Sequence, residues 1–306
     1  MKKNKFNNNA GLSLIEILIG VVISAIMMAA MYTTYSVVNN SYSQVTDRAK
    51  ISRSGRDIIG MLMRDIRLAG FKYYFGINND GISKNDYLQY VGGNSTISES
   101  HDPIIIVKDE LGYTTLATAD ATPSLPTKNN SNDMCCDKIH IVYGDFDQSN
   151  TTQPYKKYKI TYYALPRSSG SDKYYAIYKT KESWIQKVTE TSGSWTTDPS
   201  LCSECYTGEL IRDHLTDMEF IAFDKQGRIL NPPPSPDNAA TRGDLYNIRI
   251  VDVRLTFRSK KEFFRFNASA DKPRLVKGLG DRTREFLDKY LRDSVVVTVH
   301  TRNIGN

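Results

Sequence analysis

Residues 12–38 read LSLIEILIGVVISAIMMAAMYTTYSVV, an apolar run of 27 residues with a single charge, Glu16. As a helix, at about 1.5 Å per residue, it reaches roughly 40 Å, longer than the roughly 30 Å hydrocarbon core of a bilayer. The run is expected to cross a membrane once. A carboxylate inside such a span is unfavourable by about 2.5 to 3.5 kcal/mol near the helix centre, which makes Glu16 a site hypothesis whose partner has to be named. A plain signal-anchor helix whose Glu16 snorkels to the interface is the simpler alternative.

The leader, MKKNKFNNNAG at residues 1–11, carries Lys2, Lys3 and Lys5, and no basic residue follows the apolar run until Arg48. The positive-inside rule therefore places the leader in the cytoplasm and everything after about residue 40 outside. No small-x-small cleavage site follows the run, so it is not read as an ordinary secretory signal.

At these residues the chain resembles the type IV prepilin family: a basic leader ending in Gly11, then Leu12, Ser13 and a hydrophobic helix with Glu16 at its fifth position. The resemblance implies that a prepilin peptidase cuts between Gly11 and Leu12 and methylates the new Leu12 amine. It also implies a role for Glu16, because the carboxylate of a neighbouring subunit would neutralise that amine within the apolar layer and set the axial register. Two residues depart from the pattern. Leu12 stands where phenylalanine is usual, and Thr33 lies where many major pilins carry a helix-kinking proline, which points away from a main-shaft subunit.

Residues 55–71, GRDIIGMLMRDIRLAGF, resemble the segment that ends the long helix in PilW-type minor pilins, and the stretches 135–144, 210–228, 245–259 and 291–303 resemble later strands of that family in order. The implied function is a non-enzymatic minor pilin of a type IV pilus. Its implied partners are other major and minor pilins and an inner-membrane assembly platform. It would sit in the inner membrane as a single-pass, N-in protein before assembly, and in a pilus afterwards. A large pseudopilin of a type II secretion system shares the leader, the long helix and a β-rich head. A membrane-tethered binding or adhesion module is the alternative from another class.

Past the membrane run, Ile58, Ile59, Leu62, Met63, Ile66 and Ala69 recur at helical spacing, and this predicts an apolar stripe with Arg56, Asp57, Arg64, Asp65 and Arg67 mostly on the remaining surface. Gly70 supplies a C-cap. One helix is therefore expected over 12–70, transmembrane over 12–38, with a softened stretch at Gly55 and Gly60, since each is about 1 kcal/mol less favourable than alanine in a helix interior.

Residues 71–306 form the expected head. Short β-branched and aromatic runs include 104–107, 139–143, 158–164, 174–179, 218–223, 246–257 and 294–300, separated by turn-rich stretches at 120–133, 145–154, 191–199 and 231–243. The fold class is α+β: a long N-terminal helix packed on a large antiparallel, two-sheet or strongly curved β-rich domain. A late helix is expected over Asp281–Arg292, where Phe286, Leu287, Tyr290 and Leu291 share a face.

Cys135 and Cys136 are adjacent, and Cys202 and Cys205 form a CSEC motif. All four lie on the expected exported side, where disulfides persist. Two disulfides joining the clusters are the natural outcome, because adjacent cysteines close a strained ring, although three pairings are possible. A four-cysteine zinc site is the sharper alternative, weakened by the missing spacer in the CC pair.

No catalytic residue, cofactor site or metal site is expected elsewhere. His101, His140, His214 and His300 fit no ligand spacing, and Gly278 with Gly280 makes a lone GxG with no βα context. Asp145, Asp147, Asn150 and Asp224 could hold calcium but are explained as well by Asx turns. The net charge is +6, and removing the three leader lysines leaves 37 basic against 34 acidic side chains, or +3. Basic clusters at 254–261 and 282–284 are read as solvated faces rather than a nucleic-acid footprint. The 19 tyrosines are read as core and cross-strand packing.

Overall fold

A computed structural model of the chain describes residues 13–71, 102–108, 135–146, 155–169, 172–186, 193–238, 240–262, 274–279, 283–286 and 289–304. Contacts divide the chain into two units, Met1–Ala49 and Lys50–Asn306. The expectations for Gly11, Leu12, His101, Asp147, Asn150, Gly280 and the 120–133 turn fall outside the described residues.

A single helix, α1, runs from Leu14 to Leu68, as the apolar run and the stripe after it predict. Within the second unit its buried positions are Ile51, Gly55, Ile58, Ile59, Leu62, Asp65, Ile66 and Ala69, spaced at three and four residues, so one face is withdrawn from water. The helix continues through Gly55 and Gly60 without the softening expected there. Gly55 has a packing reason, since a Cβ at this position would stand 2.9 Å from Val295 Cγ2. Lacking that atom, the helix backbone can approach the sheet closely.

Gly70 ends the helix in the left-handed region, at φ 70°. Its N–H donates to the Val142 carbonyl at 2.9 Å, and the Gly144 N–H donates to the Phe71 carbonyl at 2.7 Å. The Asn303 side-chain amide donates to the Arg67 carbonyl at 3.0 Å, satisfying an otherwise open helix end.

Among the described residues ten strands follow: β1 Ile104–Val107, β2 Lys138–Phe146, β3 Tyr155–Ser169, β4 Asp172–Gln186, β5 Gly193–Thr196, β6 Tyr206–Phe223, β7 Ile250–Glu262, β8 Arg274–Lys277, β9 Thr283–Phe286 and β10 Tyr290–His300. The large sheet has the order β1-β2-β3-β4-β6-β7-β10, with β5 pairing β4 beside β6, and β8 pairs with β9 apart from it. Every pairing is antiparallel. The fold is therefore the expected one, a long helix packed on an antiparallel β-rich domain. Asp137, the residue before β2, also bonds to β6, its N–H donating to the Met218 carbonyl at 2.8 Å, although β3 and β4 lie between the two strands in the sheet. That bond shows how strongly the sheet curls.

Two expectations for the head are corrected. The Asp281–Arg292 segment is not helical where it is described: Thr283–Phe286 pairs with β8, and from Tyr290 the chain pairs with β7 as β10. Its helical spacing is too short to compete with a full cross-strand ladder. The 191–199 stretch, read as a turn, contains β5, whose Trp195 pairs with Trp184 of β4.

The core is built by alternation. Tyr158, Ile160 and Tyr162 of β3 and Ile139 and Ile141 of β2 are buried, as every second residue of a strand should be when one face meets a helix, whereas β7 is buried on both faces from Val253 to Ser259. Asp65 corrects the surface assignment made for it. It is buried on α1, its Oδ2 accepts the Tyr162 hydroxyl at 2.7 Å, and the Lys179 ammonium lies 2.8 Å from the same oxygen. Burial first, and the Asp65 carboxylate second, push the Tyr162 phenol well above its ordinary range, so it stays protonated and can donate.

Candidate functional site

The site with chemistry unlike the rest of the chain is the start of α1. Ser13 precedes the first helical residue and Glu16 lies three positions on, the S-x-x-E spacing of a capping box. The Ser13 N–H and hydroxyl both donate to Glu16 Oε2 at 2.9 Å, and the Glu16 N–H lies 3.3 Å from Ser13 Oγ. Two helix-start donors are thereby satisfied, and the carboxylate sits near the positive end of the helix. Glu16 Oε1 takes none of these bonds. This local partner for Glu16 was legible in the sequence as Ser13-x-x-Glu16, a signal that the reading of the leader overlooked.

From Leu14 onward the first unit exposes its apolar side chains: Leu14 is 80% exposed, Met28 70% and Tyr32 75%. By length and composition α1 can cross a membrane. Three hydroxyls within it donate to carbonyls of their own helix: Ser24 to Gly20 at 2.7 Å, and Thr33 and Thr34 both to Ala30, at 2.8 and 2.9 Å. These three hydroxyls need no water, which is the condition for a polar side chain inside hydrocarbon. Thr33 leaves the helix unbroken where a proline would remove a backbone donor.

Residues 6–32 match the family model of the prokaryotic N-terminal methylation motif. The chain carries a prepilin-type methylation motif. The match takes in the Gly11-Leu12 junction, Ser13 and Glu16, and it speaks for the N-terminal region alone. No curated protein is significantly similar to the chain. Among solved structures, the type IV-like pilin TTHA1219 from Thermus thermophilus aligns over 83% of this chain and 98% of its own, at 9% identity and a TM-score of 0.35.

The cysteines pair otherwise than expected. Cys135 bonds Cys136, and Cys202 bonds Cys205. In the CSEC turn the Cys205 N–H donates to the Cys202 carbonyl at 3.1 Å, and the two Cα atoms stand 5.3 Å apart, within reach of one disulfide. A link between clusters is blocked by position. The Cys135 sulfur lies against the Thr216 carbonyl in mid-β6, whereas Cys205 adjoins Tyr206 at the start of that strand. The intervening strand spans roughly 30 Å at about 3.3 Å per residue. The vicinal pair and Asp217 bring ligand atoms within 4.8 Å of one another, but both sulfurs are committed to each other, so the zinc alternative loses its thiolates.

Other candidates have structural roles. His140 Nδ1 shares a hydrogen bond with the Thr161 hydroxyl at 2.8 Å, and burial, then Lys138 and Lys159, lower its pKa to about 3. His214 packs its ring 4.3 Å from that of Tyr174. Asp224 Oδ1 accepts the Gln226 and Arg228 N–H groups at 2.8 and 2.9 Å, while Oδ2 pairs with Arg228 Nε at 2.7 Å. This is an Asx turn with its carboxylate already occupied.

Proposed function

We propose that the chain is a minor-pilin-type filament subunit, held in the inner membrane by α1 with its N-terminus inside, cut between Gly11 and Leu12 and methylated on Leu12. The observation that carries the reading is the apolar surface of α1 from Leu14 to Val45, exposed along its length and broken by one charged side chain near its start. Lipid and neighbouring helices are alike apolar, so α1 moves from one to the other at little free-energy cost. Glu16 then meets the Leu12 amine of an adjacent copy or of another pilin. Oε1 is the oxygen left for it, and the pair fixes the axial register. Prepilin peptidase, other pilins and an inner-membrane assembly platform are the partners this route requires. A pseudopilin of a type II secretion system would follow the same route.

The Ser13–Glu16 bonds favour a second reading, a membrane-tethered module whose glutamate only caps its anchor helix. Glu16→Gln separates the two, because glutamine completes a capping box but carries no charge. Amine pairing requires that the variant insert in the membrane normally and fail to enter filaments. Wild-type incorporation of the variant would leave capping as the whole role of Glu16.

A further inference from the structure

A pocket of 610 Å³ lies among β1, Trp195 and the loop that carries Pro232, Pro233 and Pro236. His140 and Lys159 in its lining alternate along their strands with Ile139 and with Tyr158 and Ile160, so they lie on the sheet face away from Tyr162 and its α1 partner Asp65. The size is that of a site for a small ligand. Its walls are the Trp195 indole, proline rings and the aliphatic side chains of Ile105 and Val107.

The polar groups in the lining are Lys108, Lys159, His140, Ser235 and Asp237. Lys108 Nζ is 2.8 Å from Asp137 Oδ2, and Lys159 Nζ is 2.8 Å from Glu182 Oε2, so both ammoniums already have a counter-charge. Of its three protons Lys108 directs two to Asp137 and the Phe220 carbonyl, and Lys159 directs one to Glu182, so one and two remain for a ligand, while Ser235 and Asp237 supply acceptors on the opposite loop. The Lys159 ammonium also stands 4.8 Å over the Trp195 ring and holds that ring beside the donors. The pocket thus offers hydrogen-bond donors and acceptors with little uncompensated charge, set between flat apolar walls.

We infer that this pocket binds a neutral sugar ring of a glycan, with its C–H face against Trp195 and the prolines and its hydroxyls on Lys159, Asp237 and Ser235. A phosphate or nucleic-acid strand would need cations without counter-charges. An aliphatic chain would strip water from the lysines and Asp237 and return no hydrogen bond.

Trp184 and Trp195 are the two tryptophans of the chain, with ring centroids 5.3 Å apart, so intrinsic fluorescence reports from this pocket. The test titrates the full chain, in a detergent without a sugar headgroup, with the methyl glycosides of glucose, galactose, mannose and N-acetylglucosamine. Glucuronate and inorganic phosphate serve as charged comparators. The expected result is a saturable emission change with at least one neutral glycoside, weakened about tenfold or more in Lys159→Gln and in Asp237→Ala. Asp237 is on a loop, so its variant keeps the test valid if the strand variant misfolds. No response to any of the four glycosides, saturation by glucuronate or phosphate alone, or unchanged affinity in the folded variants would overturn the inference.

Discussion

The Asp65 carboxylate on α1 and the Lys179 ammonium on β4 lie 2.8 Å apart, and both side chains are almost wholly withdrawn from water. The Tyr162 hydroxyl, on the strand between β2 and β4, shares the same carboxylate oxygen. A charge pair at this depth fixes the register of the helix on the sheet, because sliding the helix by one residue would part Lys179 from its buried counter-charge. Removing one member of a buried pair typically costs about 3 to 5 kcal/mol, whereas replacing both with apolar groups is often neutral. Asp65→Ala and Lys179→Met are each expected to lower unfolding stability by several kcal/mol in denaturant titrations. The double variant Asp65→Leu/Lys179→Met should recover most of the loss. Additive losses in the double variant would show that the two residues act separately.

The two glycines of the second half of α1 should respond with opposite sign. Gly60 is exposed with open space around it, so Gly60→Ala is expected to raise stability by up to about 1 kcal/mol through helix propensity alone. At Gly55 the same methyl meets Val295 at 2.9 Å. Overpacking there costs about 1 to 3 kcal/mol, which outweighs the propensity gain. Thermal melts of the two single variants should therefore move in opposite directions.

Disulfide mapping without reduction should yield peptides with Cys135 linked to Cys136 and Cys202 linked to Cys205, and no peptide joining the clusters. Cys202 and Cys205 are three residues apart, so the loop they close is small and its loss should cost only about 2 kcal/mol. The turn has further support. Glu204 within it takes the Lys181 ammonium at 2.6 Å and the Tyr158 hydroxyl at 3.2 Å. Cys202→Ser/Cys205→Ser is expected to fold with a modestly lower melting temperature, and complete unfolding of this variant would refute the estimate.

His140 makes stability depend on pH. Its pKa in the folded chain is about 3 against an ordinary 6.5, so between these values the unfolded chain binds a proton that the folded chain does not. Stability from this residue is present above about pH 6.5 and is lost as pH falls toward 3. His140→Gln should flatten the decline between pH 7 and 5, and an NMR titration should show no protonation of His140 in that range. A midpoint near 6.5 in the folded protein would contradict the burial of the ring.

The helix was readable from sequence because hydropathy and spacing act within a few residues, as did its end at Gly70. Capping was readable too, in Ser13-x-x-Glu16, but the same glutamate also fitted the prepilin pattern, and the leader drew the reading there. Asp65 was not readable. It stands among charged neighbours on a helix, and its partner Tyr162 is 97 residues away in sequence, so only the fold shows that this carboxylate faces inward. The cysteine pairing failed for a related reason. Which end of β6 each cluster reaches depends on how the sheet curls, and no local pattern encodes that curl. The 281–292 segment carried true helical spacing, and pairing of its described parts with β8 and β7 overrode it.

The junction where α1 ends has a mechanical consequence. Gly70 and Phe71 are bonded to β2, Asn303 to the last turn of the helix, and Asp65 to β3 and β4. Tension applied to the helix beyond Lys50 is thereby shared among separate anchorages loaded side by side, and no single bond has to fail first. Such a joint suits a part that is hauled and dragged rather than one that merely floats.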